Sequence, residues 1–155
     1  MSGIVGVVST DQQNVSNLIL YGLYALQHRG QVNTGMALLD NNRLAVKKGS
    51  GLISDVFPDD ISLDLPGDRG LGHVKYGEYK KYDVQQAILP KEYEIRGVRC
   101  LVSVDGNVLN EGFGLHQLTS HLSGPVESSA AFLNRLRGAF SGIYLDKYKM
   151  IGFLD

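Results

Sequence analysis

Apolar residues fill positions 3–8 almost without a break, Gly3-Ile4-Val5-Gly6-Val7-Val8, a run too short for a buried helix, so the chain is expected to open on a buried strand. From residue 15 the period changes. Val15, Leu18, Ile19, Gly22, Leu23 and Leu26 follow helical spacing, with Asn14 as N-cap and Gly30 beyond the end. Strands at 34–40 and 43–48 flank Asn41-Asn42, a turn pair because asparagine tolerates positive φ. Further strands are expected at 71–76, 84–89 and 99–104, and helices at 113–122 and 126–137. The chain closes on a hairpin, 139–145 and 150–154, around Asp146-Lys147. Strands, then helices, then strands, with few βαβ crossovers, predict an α+β fold of mainly antiparallel sheets.

Composition narrows the class. With 155 residues and 43% apolar content the chain can bury one core without metals or disulfides, so a single domain over 1–155 is expected. A net charge of −1 argues against nucleic acid as a partner, and the two adjacent lysine pairs, Lys47-Lys48 and Lys80-Lys81, read as solvated faces. One cysteine, Cys100, cannot form an internal disulfide, which fits a reducing compartment, and its alternating apolar setting marks it as a buried small residue. There is no leader pattern and no apolar run near the length of a membrane span, so the expected location is the cytoplasm and no membrane partner is expected. His28, His73, His116 and His121 lack the paired spacing of a zinc site, and Gly49-Ser50-Gly51 is not followed by the lysine of a phosphate loop. No metal and no cofactor is expected.

Candidate chemistry begins at Ser2. If Met1 is removed, Ser2 carries a hydroxyl and a free α-amine on one residue, and an amine of pKa about 7.7–8 can serve as base for its own side chain. Further along come Tyr21-Gly22-Leu23-Tyr24-Ala25-Leu26-Gln27-His28-Arg29-Gly30-Gln31, Gly51-Leu52-Ile53-Ser54-Asp55-Val56-Phe57, Gly72-His73-Val74-Lys75-Tyr76 and Asp105-Gly106-Asn107-Val108-Leu109-Asn110. In this order, and together with the opening strand, these segments resemble the N-terminal glutaminase domain of amidophosphoribosyltransferase, a class II glutamine amidotransferase of the N-terminal-nucleophile type. The resemblance covers essentially the whole chain. It implies the four-layer αββα sandwich of N-terminal-nucleophile hydrolases, with glutamine amide hydrolysis as the family activity. It also implies that the phosphoribosyltransferase domain is absent.

The departures from that family fall on its working positions. Where the family has a cysteine nucleophile, this chain has Ser2, less acidic and less nucleophilic. Where the family places an arginine fork for the substrate carboxylate, before Tyr76, it has Lys75, which keeps the charge and loses the bidentate contact. Where the family has an oxyanion-hole asparagine beside glycine, it has Asp105 beside Gly106, and an ionised carboxylate accepts hydrogen bonds without donating any. The family's aspartate for the substrate α-amine has no counterpart in the shortened stretch from Leu118 to Pro125, and the segment after Tyr76 is charged and aromatic, with Tyr79 and Tyr82 following it. Lys75 and Asp105 are expected to face each other where substrate charge would be met. Arg29 matches a family arginine with a structural role near the N-terminus, and His28 reads as a carbonyl-satisfying helix-end residue.

These residues favour a catalytically degenerate domain that acts as a binding or regulatory module beside a separate synthase-type protein. The alternative is a weak amidohydrolase with Ser2 as nucleophile, the Gly106 N–H as oxyanion donor and Lys75 as carboxylate anchor, acting on glutamine or another small-molecule amide. Association into an oligomer is left open.

Overall fold

The computed structural model describes residues 2–57, 65–77 and 89–155. Its elements are β1 (Gly3–Val8), α1 (Ser16–Leu26) ending in a 3₁₀ turn (Gln27–Arg29), β2 (Asn33–Asp40), β3 (Arg43–Ser50), α2 (Ile53–Val56) and β4 (Arg69–Lys75). Then come β5 (Lys91–Ile95), β6 (Val98–Val108), α3 (Leu115–Leu122), α4 (Val126–Leu133), β7 (Gly138–Asp146) and β8 (Met150–Leu154). Two four-stranded sheets form, in the orders β1-β4-β2-β3 and β5-β6-β7-β8, and every neighbouring pair is antiparallel.

Side-chain alternation turns these sheets into four layers. Along β2 and β4, Met36, Leu38 and Val74 face α1, where they meet Ile19 and Leu23. Their neighbours Ala37, Leu39 and Leu71 face the other way and pack on Leu101 and Leu145 of the second sheet. On the far side of that sheet, Cys100, Val102 and Tyr144 pack under Leu118 and Leu122 of α3 and Phe132 of α4. The architecture is therefore the αββα sandwich. Gly72 lets α1 lie directly on the first sheet, since a Cβ there would stand 2.8 Å from Ile19 and Leu23 side-chain atoms. Among the described residues no helix is long and apolar enough to cross a membrane.

Most expected elements are present with shifted ends. The helix expected to be capped by Asn14 has Val15 at its N-cap position, and Asn14 contributes by accepting the Ser16 N–H at 3.1 Å on Oδ1. The hairpin at Asn41 forms with φ of 53° at that residue. The helix expected over 126–137 stops at Leu133, and the one expected over 113–122 begins at Leu115, after Gly114 in extended conformation. The strand expected over 99–104 runs on to Val108, so that Asp105 and Gly106 lie inside β6 rather than after it. Two elements lack a sequence counterpart, α2 and β5; the latter pairs with β6 through a turn in which Arg96 and Gly97 both have positive φ. The strand expected at 84–89 lies outside the described residues except for Leu89, as do Lys80-Lys81, Tyr79 and Tyr82.

Candidate functional site

β1 and β4 run antiparallel with Gly3 opposite Val74 and Ile4 opposite His73, and β2 places Asn33 opposite Lys75. Continuing this register brings Ser2 to the level of Lys75, at the end of the first sheet. The facing strand of the second sheet is β6, which carries Ser103 and Asp105 on the side that looks toward the first. His73 joins the two layers: its Nδ1 lies 2.6 Å from the Ser103 hydroxyl oxygen, and both residues are buried.

Ser2 is buried and held from two directions. Its backbone N–H donates to Asp105 Oδ2 at 2.9 Å, and the Arg29 Nε–H donates to its carbonyl at 3.0 Å. The Ser2 hydroxyl acts on the Asp105 carboxylate as well, helping to lower its pKa. Arg29, at the end of the 3₁₀ turn, thus braces the residue that the sequence marks as the nucleophile position. Gly30 follows it because the backbone there comes close to β4: a Cβ would stand 2.6 Å from the Lys75 nitrogen.

Partial burial works to raise the Asp105 carboxyl, but the Ser2 backbone and hydroxyl, together with the charge of Lys75, outweigh it. Its pKa falls below the usual carboxylate value. The group is ionised at neutral pH and presents acceptors only. Lys75 acts on this carboxylate through its charge, and Ser2 is its hydrogen-bonding partner. Gly106 keeps a backbone that no other residue could adopt without strain, with φ of 104° and only 2.1 Å between a Cβ and the Ala139 carbonyl oxygen.

A cavity of about 550 Å³ opens beside Ser2 and Asp105, with Arg29 at one side and apolar walls from Leu26, Ile143 and Phe153. Lys75 and Tyr76 do not line it. Tyr76 stands past the end of β4, 65% exposed. Ser2, Asp105 and Arg29 are therefore brought together around one cavity, Gly106 adjoins it in β6, and Lys75 and Tyr76 stand away from its walls.

Two polar groups near this end were not marked by the sequence reading as site residues. His73 is 1% exposed, and its Nε2 has no hydrogen-bond partner among the described residues. Burial first, then the charge of Lys75, pulls its pKa from 6.5 down to about 4, with Asp105 opposing, so the ring is neutral at pH 7. Asn33 is 2% exposed, and neither its amide oxygen nor its nitrogen has a partner among the described residues. The available signal was the strand alternation that sends residues 33, 73 and 103 to the space between the sheets. Cys100 is buried, and burial raises its thiol to about 11, so it is no nucleophile.

No protein-family model matches the chain. It is 35% identical over 109 residues to an amidophosphoribosyltransferase of Methanothermobacter thermautotrophicus, covering 70% of this chain and 23% of that protein. It is 31% identical over 172 residues to the amidophosphoribosyltransferase of Pyrococcus horikoshii, covering 97% of this chain and 38% of that protein. The chain thus spans well under half the length of these relatives. The glutamine phosphoribosylpyrophosphate amidotransferase of B. subtilis, solved with ADP and GMP, superposes with a TM-score of 0.78 at 22% identity, over 100% of this chain and 37% of that one, which shows a common fold. By its homology along almost the whole chain and by this sandwich built around Ser2, the chain belongs to the class II glutamine amidotransferase domains of the amidophosphoribosyltransferase type.

Proposed function

We propose that this domain keeps the amidotransferase fold with its hydrolytic centre closed, and that it works in the cytoplasm as a binding or regulatory module beside a separately encoded synthase-type protein. One observation carries the reading: the carboxylate of Asp105 takes the Ser2 N–H at 2.9 Å, at the position where hydrolysis requires a donor for the tetrahedral oxyanion. Loss of one oxyanion donor alone lowers turnover by about 10²–10³, and an ionised acceptor adds repulsion to that loss. The carboxylate therefore sits against the nucleophile residue as a group that opposes the charge its attack creates. Lys75 supports the reading from the substrate side, because a point charge replaces the planar fork that grips a carboxylate.

The test is ammonia release from glutamine by the purified protein, compared with the Ser2→Ala variant, with calorimetry for glutamine binding in parallel. Equal, background-level rates and no heat of binding are expected. Ammonia production that vanishes in Ser2→Ala, or glutamine binding at micromolar affinity, would overturn the reading.

A further inference from the structure

The register of the two sheets divides the cavity beside Ser2 into two levels. In the second sheet Asp105 stands opposite Ser141, Ser103 opposite Ile143, and Ile143 opposite Gly152. Alternation turns all of these toward the first sheet. Gly6 of β1 marks the facing side, since a Cβ there would stand 3.1 Å from both the Ile143 Cδ1 and the Met150 sulfur. Ile4 and Ser2 follow Gly6 at steps of two toward the chain start, so they look back across the same space.

The level at the sheet ends is polar, formed by Ser2, Asp105 and Ser141 with Arg29 beside the Ser2 carbonyl. One step inward, Ile4, Ile143 and Gly152 make an apolar level, and Leu26 adds to the apolar wall. A Cβ at Gly152 would meet nothing within 4 Å, so this inner level is open rather than packed.

The polar level carries one charge of each sign. Asp105 is ionised at neutral pH, and a carboxylate accepts about four hydrogen bonds, of which the Ser2 N–H is one. Arg29 is always charged, and its Nε–H donates to the Ser2 carbonyl at 3.0 Å. The two charges therefore bracket the N–H and C=O of a single residue. An α-amino acid carries its ammonium and its carboxylate at that same covalent spacing. A monoamine would leave Arg29 without a counterpart, and a monocarboxylate would leave Asp105 without one. Glutamine would carry its carboxamide into the apolar level, where unpaired polar atoms cost about 5–150-fold in affinity.

We propose that this cavity binds an α-amino acid with an apolar side chain of the leucine class, its ammonium on Asp105, its carboxylate at Arg29 and its side chain between Ile4, Ile143 and Gly152. The inference rests on the closed hydrolytic centre and names the ligand of the binding module. The carboxylate that repels a developing oxyanion is the group that attracts an ammonium, so the substitution that closes the centre to hydrolysis opens it to a zwitterion.

Titration calorimetry on the purified chain tests this with L-leucine, L-glutamine, isocaproate, which is leucine without its ammonium, and isoamylamine, which is leucine without its carboxylate. Saturable heat with L-leucine is expected. Isocaproate and isoamylamine are expected to bind at least about tenfold more weakly, and glutamine at least about fivefold. Gly152→Leu places a side chain in the inner level and is expected to abolish leucine binding while the far-UV circular dichroism spectrum and melting temperature hold. Asp105→Asn is expected to weaken leucine about tenfold and to leave isocaproate, which has no ammonium, no weaker than before. If Asp105→Asn does not fold, Gly152→Leu and the ligand series decide the question. Absence of leucine heat at millimolar concentration overturns the proposal, as do equal affinities for leucine and isoamylamine, or leucine binding that Gly152→Leu leaves intact. The two readings fail separately: ammonia release from glutamine overturns the closed centre, whereas a hydrolytically silent protein that gives no heat with leucine overturns the ligand assigned here.

Discussion

Acid should destabilise this protein through two successive pH windows, and His73 governs the first. The imidazole is 1% exposed, held by Ser103 at 2.6 Å and displaced from a pKa of 6.5 to about 4 by burial and by Lys75. In the unfolded chain it regains its ordinary value. Between about pH 6.5 and 4 the unfolded state therefore binds a proton that the folded state refuses, and stability falls as pH falls through that window. A displacement of this size is worth about 3 kcal/mol, a large part of the stability of a domain this size. Asp105 acts in the next window: its lowered carboxyl pKa gives stability that is present above the ordinary carboxyl value of 3.8 and is lost as pH falls through the folded value. Urea unfolding measured from pH 7.5 to 4 checks the first step, with His73→Asn as the comparison because a carboxamide can keep a contact with Ser103 without titrating. The wild-type curve should lose about 3 kcal/mol more than the variant between pH 7 and 4. Parallel curves for the two proteins, or an imidazole resonance of His73 that titrates near 6.5, would refute the reasoning.

Ser2→Cys by itself should react little with an electrophilic glutamine analogue, because Asp105 still occupies the donor position, whereas Ser2→Cys with Lys75→Arg and Asp105→Asn should begin to be labelled; intact mass reads both, and efficient labelling of the single variant would contradict the role given to Asp105. Gly106→Ala should cost about 2–3 kcal/mol in chemical denaturation, since it combines a φ of 104° with a Cβ that meets the Ala139 carbonyl. Gly97→Ala, with φ of 77° and open space around the new methyl, should cost about 1 kcal/mol.

The sequence exposes those elements whose burial is one-sided or complete. β1 is a continuous apolar run and β8 is flanked by turn residues, so both could be read from pattern, and the Asn41 turn follows from the conformational tolerance of asparagine. β5 could not be read in this way. Its Lys-Glu-Tyr-Glu-Ile places charges at a sheet edge, where they are solvated and contribute no periodic apolar signal. α2 is four residues long, below the length at which helical periodicity can appear. At the site, Ser2, Asp105 and Gly106 were legible because a motif carried them. The bond between Ser2 and Asp105 was not, since it joins residues 103 apart whose meeting depends on how two sheets stack. Asn33 and His73 were hidden for the same reason: a polar residue in a strand says nothing about which face it takes until the register is known.

The features that shape this site and the features that give it chemistry lie on different atoms, which explains how one can persist while the other changes. Gly30 against the Lys75 backbone, Gly35 against the Leu89 carbonyl oxygen at 2.2 Å from a notional Cβ, and Gly106 against Ala139 are all constraints on main-chain approach. Side-chain substitutions at Ser2, Lys75 and Asp105 leave every one of them in place. An active oxyanion hole must keep a donor without a protein partner until the reaction supplies one, and a buried donor in that state costs about 1–3 kcal/mol. Asp105 removes that cost: it accepts the Ser2 N–H and lets Ser2 be buried with that donor satisfied. An acceptor at position 105 therefore favours the folded state, while the two sheets stay packed through Leu39, Leu71, Leu101 and Leu145, none of which is a candidate site residue.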